Sequence, residues 1–296
     1  MPRAPFLLLL LLPCLLTAAP PPSRADLAYG PHERNRLDLW LAASDRPTPL
    51  VLFIHGGGFV GGDKSKVAAP LLERMLGEGV SYAAINYRFL PSAPIQDILR
   101  DAARAVQFLR AHAAEYNLDK ERFAAHGGSA GAGTSLWLAF HDDLADPDNP
   151  DPVLRESTRL VGAGASATQF SYDLLQWEEV LGVPAIQYHA PNPAFYGLPS
   201  WDAVLGPQGR TVRADVDMRG LITPDDPPVW LLSTQPGGPV TSKGHLNHHP
   251  AHALAIQLRC AQVGVPAVAY APALGDAPKD ETASLAEFLL SRFAGR

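Results

Sequence analysis

Gly127-Gly128-Ser129-Ala130-Gly131 is the stretch of this 296-residue sequence that decides the fold. It follows a short apolar run, Phe123 to Ala125, and precedes a run typical of a helix, Thr134 to Phe140. The order predicts a strand, a tight turn and a helix, with a Gly-x-Ser-x-Gly pattern in the turn. Such a turn holds the serine in a strained backbone conformation and accepts only small neighbours. It lifts the hydroxyl above the strand end, where the helix dipole favours developing negative charge.

A second glycine-rich stretch, His55-Gly56-Gly57-Gly58-Phe59, directly follows the apolar run Leu50 to Ile54. Three glycines after a strand expose backbone N–H groups that an oxyanion can bind. Taken alone, the stretch is equally consistent with an ordinary loop between a strand and a helix. Together with the later serine turn it indicates the two halves of one catalytic site.

On these two motifs the sequence resembles the α/β-hydrolase superfamily, in particular the esterase and lipase branch of hormone-sensitive lipase and the bacterial feruloyl and acetyl esterases. The resemblance covers about residues 26–296 and is densest up to Asp173. Tyr87-Arg88 and Asp101 also match the esterase pattern and are interpreted as scaffold around the glycine loop. A buried ion pair of Arg88 with an aspartate is expected, but the sequence does not select the partner.

The resemblance implies that Ser129 is the nucleophile and that the backbone N–H groups of Gly57, Gly58 and Ala130 form the oxyanion hole. Neutral serine is a poor nucleophile, so it needs a base within hydrogen-bond reach and donors for the oxyanion that forms on attack. The side chain of His55 is expected to order the glycine loop. Chemistry of this kind requires no cofactor and no metal.

The alternation of apolar strand runs with amphipathic helix patterns predicts an α/β fold with a doubly wound, mostly parallel sheet. The hydrolase domain is expected to span residues 26–296. Periodicity fades at about residues 170–222, where aromatic residues stand among prolines. By resemblance, this segment is a lid-like insertion after the sixth strand. The alternative is a surface excursion held together by its own aromatic residues.

The overall composition is that of an ordinary globular enzyme, with 47% hydrophobic and 18% charged residues. The net charge of −6 and the lack of a basic patch argue against nucleic acid as a partner. The length suits one large α/β domain with a generous core. The expected partner is a small-molecule or polymer-borne ester, and the oligomeric state is left open.

Residues 1–25 are predicted to be a signal peptide. Arg3 precedes an apolar run from Phe6 to Leu16, and Ser23 and Ala25 supply the small residues for cleavage after Ala25. The run is shorter than the roughly 20 residues that a membrane span needs. The mature chain is therefore expected to be secreted or periplasmic, without a membrane span.

A lipoprotein anchored through Cys14 is the alternative for this leader, although Pro13 is not the small residue expected before a lipidated cysteine. Cleavage would remove Cys14 and leave Cys260 as the single cysteine, so no disulfide within the chain is expected. The apolar helical surroundings of Cys260 predict a buried structural thiol.

The remaining members of the triad are not encoded where the resemblance places them. It predicts an acid after the seventh strand and a histidine after the eighth. The loop after the predicted strand Val229 to Leu232 instead holds four histidines, and the loop after the last strand holds two aspartates. These residues are His245, His248, His249 and His252, and Asp276 and Asp280.

The reversed order of residue types leaves three interpretations. In the first, His248 or His249 reaches Ser129 as the base and Asp276 accepts a hydrogen bond from its other ring nitrogen, since both loops lie at the same edge of the sheet. In the second, the histidines are solvated or cap helices. In the third, His248 and His252, four residues apart, bind a metal on one helical face.

The sequence as a whole predicts a secreted, cofactor-independent serine hydrolase that cleaves carboxylic esters through an acyl-enzyme at Ser129. The alternative is a pseudo-hydrolase that keeps the fold for binding, because the usual acid and histidine positions are not occupied. A peptidase of the same fold is a third possibility. The intact glycine run favours the enzyme, since a binding protein has little reason to keep it.

Overall fold

The computed structural model describes residues 19–189, 192–271 and 275–294. These residues form one eight-stranded sheet. The strands are β1 (Arg24–Ala28), β2 (Arg36–Trp40), β3 (Thr48–Ile54), β4 (Ser81–Ile85), β5 (Leu118–Gly128), β6 (Ala163–Ser166), β7 (Val229–Leu232) and β8 (Ala267–Tyr270). Their order is β1-β2-β4-β3-β5-β6-β7-β8, with β2 antiparallel to both neighbours and the rest parallel. The prediction of a mostly parallel α/β sheet is confirmed.

Helices cover both faces of this sheet. They are α1 (Ala69–Gly77), α2 (Ile95–Ala111), α3 (Ala130–Phe140), α4 (Trp177–Leu181), α5 (Trp201–Leu205), α6 (Pro207–Asp215), α7 (Met218–Leu221), α8 (Lys243–His248), α9 (Pro250–Val263) and α10 (Glu281–Phe293). The apolar sides of α1 and α10 pack on one face, and those of α2, α3 and α9 pack on the other. Within the described ranges, none of the helices combines the length and hydropathy that crossing a bilayer requires.

Strand β3 shows why a continuous apolar run was the right signal for a central strand. Leu50, Leu52 and Ile54 belong to the core on one side of the sheet, and Val51 belongs to the core on the other side. Successive side chains of a strand point to opposite faces, so a strand covered by helices on both faces needs apolar residues throughout. This burial places the end of β3, and with it the glycine loop, at the carboxyl edge of the sheet.

The N-terminal strand β1 was not predicted. Arg24 pairs with Leu39, and the indole nitrogen of Trp40 donates a hydrogen bond of 2.7 Å to the Pro20 carbonyl. The expected cleavage point after Ala25 therefore lies inside a strand. Residues 1–18, with the predicted apolar run and its cysteine, lie outside the described residues.

The segment between β6 and β7, predicted as an irregular insertion, forms α4 to α7 and several short 3-10 turns. Its helices have four to nine residues, which is too short for a clear amphipathic period. A buried ion pair of Arg213 with Asp173, 2.8 Å apart, ties the two ends of the insertion together. The indole nitrogen of Trp137 in α3 donates a hydrogen bond of 2.7 Å to the carbonyl of Asp215, so α6 is attached to the hydrolase core.

Asp101 is the partner of Arg88 that the sequence left open. The guanidinium donates two parallel hydrogen bonds of 2.8 Å to its carboxylate, and the Arg88 backbone N–H donates a third of 3.0 Å. The aspartate side chain is only 5% exposed and the arginine side chain 20%. This bidentate pair joins α2 to the segment that follows β4, beside the glycine loop.

We expect Asp101→Ala to lower the free energy of unfolding by about 3 kcal/mol, because it leaves a largely buried guanidinium without its counter-charge. Urea unfolding followed by circular dichroism measures the change. Glu78→Ala is the matched control, since it breaks a solvent-exposed pair with Arg74 and should cost about 0.5 kcal/mol. Equal losses in the two variants would contradict a structural role for the buried pair.

Candidate active site

Ser129 occupies the sharp turn between β5 and α3. Its φ of 53° lies in the left-handed region, which a residue with a side chain adopts only when its surroundings impose it. Its backbone N–H donates a hydrogen bond of 2.9 Å to the Ser166 carbonyl at the end of β6. A Cβ atom on Gly131 would overlap the carbonyl oxygen of Ile54, so α3 passes too close to β3 for any side chain there. The strained turn and its small neighbours agree with the sequence prediction.

Contacts of His55, its first residue, hold the glycine loop after β3 in place. The His55 ring stacks on Tyr87, with centroids 4.3 Å apart, and its Nδ1 donates a hydrogen bond of 2.7 Å to the Gly56 carbonyl. The Tyr87 hydroxyl donates a bond of 2.7 Å to the His55 carbonyl. Gly57 has a φ of +123° and lies so near the Gly61 carbonyl that a Cβ would overlap it. The ordering contact expected of His55 is present.

Two of the three predicted oxyanion donors line the same cavity as the serine. Gly58, Ser129 and Ala130 line one cavity. Within the described residues, the backbone N–H groups of Gly57, Gly58 and Ala130 donate to no protein acceptor. Ala130 is the first residue of α3, so its N–H is one of the unpaired donors at a helix N-terminus. The arrangement presents donors where an oxyanion would form.

His248 lies at the serine. Its Nε2 is 2.8 Å from Ser129 Oγ, a hydrogen-bond distance suited to proton transfer. His248 is the last residue of α8. The buried hydroxyl of Ser233 donates a hydrogen bond of 2.8 Å to its backbone carbonyl. Burial lowers the pKa of His248 below its ordinary value, and the carbonyl of Gly244, one turn earlier, acts in the opposite direction. The lowered pKa favours the neutral imidazole, which is the form that can accept a proton.

The other three histidines of the loop are engaged elsewhere. His245 contacts the carbonyl of Pro236 through Nε2, and His249 contacts that of Gly238. The Nδ1 of His249 accepts from the Ala251 N–H and caps α9. His252 is fully buried, and both ring nitrogens bond to backbone groups. Only His249 has the capping role that one interpretation foresaw, since His245 and His252 are buried and cap none of the described helices.

The metal interpretation of the loop fails on helix geometry. His248 is the last residue of α8 and His252 lies in α9, so the two do not share one helical face. The break between the helices comes at His249 and Pro250, since proline favours the first helical position and restrains the residue before it. Both ring nitrogens of His252 are already bonded, which leaves it no lone pair to bind a metal.

Asp276 is not at the site. Its side chain is exposed, and its backbone pairs with Ala271 in an isolated bridge. Asp280 caps α10 by accepting from the Ala283 N–H. In the described part of the chain no carboxylate forms a hydrogen bond or an ion pair with His248. Because Nε2 faces the serine, the Gly244 carbonyl acts on the pKa of His248 through Nδ1. Among the described residues no acid acts there, where one was predicted.

A cavity of about 920 Å³ opens in front of Ser129. Most of its wall comes from the insertion, including Trp177, Phe195 and Tyr196, and Phe59 and Leu90 complete it from the hydrolase core. The volume lies near the upper end of the range for small-molecule sites. The predicted insertion thus supplies most of the wall of this cavity.

Tyr172 was not predicted from the sequence. It is buried in the wall of the cavity, and its hydroxyl donates a hydrogen bond of 3.0 Å to the Ala130 carbonyl. A Cβ on Gly133 would overlap this hydroxyl, so the glycine makes room for it. The contact braces the first turn of α3 beside the nucleophile. Its two partners are distant in the sequence and belong to no common motif.

Residues 37–160 match the BD-FAE family. A probable isoprenylcysteine alpha-carbonyl methylesterase of Arabidopsis thaliana is 40% identical over 139 residues, which is 46% of this chain and 29% of that protein. A probable carboxylic ester hydrolase of Mycobacterium tuberculosis, LipM, is 36% identical over 215 residues, which is 70% of this chain and 46% of that protein. The chain spans less than half the length of these two relatives.

Among solved structures, a truncated carbohydrate esterase from gut microbiota superposes with a TM-score of 0.69 and 15% identity, covering 92% of this chain and 96% of the other. At that identity the likeness concerns the fold. Together with the BD-FAE match, it confirms the resemblance to the esterase branch of the α/β hydrolases.

Proposed function

We propose that this protein, an α/β hydrolase by its fold and by the family match of its N-terminal half, is a serine esterase that cleaves carboxylic esters through an acyl-enzyme. The observation that carries the proposal is the 2.8 Å contact of Ser129 Oγ with His248 Nε2. It joins a nucleophile in an elbow turn to a neutral base, beside unpaired backbone donors.

In the first half of the reaction, Ser129 Oγ attacks the ester carbonyl carbon while its proton passes to His248 Nε2. The carbonyl oxygen becomes an oxyanion, and the N–H groups of Gly57, Gly58 and Ala130 stabilise it. Collapse of the tetrahedral intermediate breaks the bond to the alcohol, which leaves with the proton from His248. The products are the free alcohol and an acyl ester on Ser129.

In the second half, His248 takes a proton from a water molecule, which attacks the acyl carbon. The second tetrahedral intermediate expels Ser129 Oγ, which recovers its proton, and the acid is released. At the start of each half, the neutral His248 needs its proton on Nδ1 and a free lone pair on Nε2. The Gly244 carbonyl, an acceptor only, favours this tautomer. The pair therefore works as a dyad supported by the backbone.

The pseudo-hydrolase alternative gains no support from this geometry. It was motivated by the absence of an acid and a histidine at their usual positions. His248, from the loop after β7, takes the place of the usual histidine after β8. The Gly244 carbonyl takes over the orienting role that the acid usually has. A scaffold protein has no need of a neutral imidazole on a strained serine.

We expect His248→Asn to lower kcat/KM for nitrophenyl acetate by about 10²–10⁴-fold, the usual contribution of a general base. Ser129→Ala should also lose labelling by a fluorophosphonate probe. His249→Asn is the matched control, since asparagine can still cap α9 and should keep turnover within about threefold. Asp276→Asn should likewise be near neutral.

Two outcomes of this series would count against the proposal. Folded wild-type protein that neither reacts with the probe nor hydrolyses the ester would support the pseudo-hydrolase. A loss in His249→Asn equal to that in His248→Asn would mean that the wrong imidazole was assigned as the base.

The pH dependence of kcat/KM separates a dyad from a triad. A carboxylate on Nδ1 would favour the imidazolium and raise the pKa of His248, whereas burial without such a partner lowers it from 6.5. The base works only when neutral, so activity should persist as pH falls through 6.5 and disappear at a lower pH. Initial rates measured between pH 4 and 9, with circular dichroism to verify folding, test this. An acid limb centred above 6.5 would indicate a carboxylate partner.

We also propose that the chain carries a cleavable leader and is exported, on the basis of the apolar run from Phe6 to Leu16. The contacts of β1 favour a cut upstream of Ala19 over one after Ala25, because removal of residues up to Ala25 would break the pairing of Arg24 and the bond from Trp40 to the Pro20 carbonyl. N-terminal sequencing of protein from the periplasm or medium distinguishes the two cuts. Full-length protein confined to the cytoplasm would rule out export.

A further inference from the structure

Large apolar side chains are exposed mainly at one place on the molecule. Six are exposed in the part of the chain that the structure describes, and four of these line the cavity that holds Ser129. They are Val60, Leu175, Ile186 and Leu205, with exposures of 68, 44, 57 and 55%. We call these four residues the apolar rim. Scattered exposed leucines need no explanation, but a cluster continuous with a pocket marks a binding surface.

The apolar rim is assembled from different segments. Val60 follows the glycine loop, and the other three lie on or beside short helices of the insertion, in or next to α4 and α5. Exposure at one element could be accidental, but convergence of separate segments on one opening is not explained by the packing of any of them. The rim therefore extends the apolar wall of the cavity to the surface.

The cavity is lined by few polar side chains, and some of these already form hydrogen bonds within the protein. The Gln169 amide donates a hydrogen bond of 2.7 Å to the Asn247 carbonyl, and His189 Nε2 bonds to the Asn247 side chain at 2.6 Å. Glu178 and Lys243 also line the cavity, but both are exposed. Their charges can remain hydrated while an apolar ligand fills the space between them.

The energetics of this lining favour hydrocarbon over carbohydrate. Each hydroxyl buried without a partner lowers affinity by about 5- to 150-fold. Each buried methylene raises affinity by nearly fourfold. A sugar would present many hydroxyls to aromatic and aliphatic walls, where the indole nitrogen of Trp201 is one donor left unpaired by the described residues, whereas an alkyl chain presents no hydroxyl to bury. A short acetyl group would leave most of the cavity empty.

We propose that the ester substrate carries a medium-to-long or bulky hydrocarbon group, which fills the cavity and continues over the apolar rim. This inference rests on the proposed esterase activity. Among the possible ester substrates, it favours those with a hydrocarbon group over polymer-borne esters of sugars. The hydrocarbon belongs either to the acid or to the alcohol of the ester. The shared chemistry is an apolar chain attached to the carbonyl that Ser129 attacks.

Two substrate series measured below their micellar concentrations test the inference on the wild-type protein. One lengthens the acyl group of nitrophenyl esters from acetate through butyrate and octanoate to laurate. The other lengthens the alcohol of acetate esters. We expect kcat/KM to rise with length along one series, by at most about fourfold per methylene, and to continue rising through the eight-carbon member.

The rim residues are tested by Ile186→Ser and Leu205→Ser, both on the insertion and remote from the elbow. We expect each to lower the ratio of kcat/KM for the longest to the shortest substrate by about three- to tenfold, the effect of losing part of one apolar contact area. Leu258→Ser is the matched control, because Leu258 is 63% exposed on α9 and does not line the cavity. It should leave the ratio unchanged.

The outcomes separate this inference from the proposed function. Hydrolysis of acetate with no gain along either series would overturn the hydrocarbon substrate and leave the esterase intact. Faster hydrolysis of an acetylated or feruloylated xylo-oligosaccharide than of octanoate would do the same. Absence of turnover on every ester, together with no labelling of Ser129, would overturn both. An equal change in the Leu258 control would remove the apolar rim from the explanation.

Discussion

The close approach of Gly131 in α3 to the Ile54 carbonyl of β3 fixes the separation of the two halves of the site. Ile54 is the last residue before the glycine loop, so the same contact determines how near that loop lies to Ser129. A methyl group at this point would push α3 away from the sheet and separate the elbow from the oxyanion donors. Backbone packing without side chains thus sets a geometry that catalysis needs to within about 0.5 Å.

The position of His248 matters in the same way, because no carboxylate in the described part of the chain contacts its imidazole. A carboxylate partner stabilises an imidazolium by charge, whereas the Gly244 carbonyl offers only a dipole. An imidazolium at this position is therefore less stabilised than beside a carboxylate, in agreement with the lowered pKa of His248. The position of the imidazole compensates in part for the missing carboxylate. The Ser233 hydroxyl holds the His248 carbonyl, and Nε2 already lies 2.8 Å from Ser129 Oγ. Orientation replaces part of what charge would supply.

Local patterns predicted the fold and the strained turn at Ser129, because both depend on short-range chemistry. The apolar run from Leu50 to Ile54 and the glycines around Ser129 are dictated by burial and close approach, which a sequence records directly. The choice among the four histidines depends on where one helix ends and the next begins. Proline at position 250 marked that break, but only the structure shows that it turns His248 alone toward the serine. Asp276 was assigned by topology, and loop conformation leaves it in solvent.

The insertion combines a part fixed to the core with a part that carries the apolar rim. The Tyr172 hydroxyl bonds to the Ala130 carbonyl, and Trp137 in α3 bonds to the Asp215 carbonyl, so both ends of the insertion are tied to the helix of the nucleophile. Leu175, Ile186 and Leu205 lie between these ties. The segment between the ties is anchored as well, because the Trp177 indole donates a hydrogen bond of 2.8 Å to the Ser171 carbonyl and the Tyr196 hydroxyl donates one of 3.0 Å to the Tyr172 carbonyl. The buried side of the cavity wall is therefore fixed relative to the elbow, and the apolar rim forms its exposed edge.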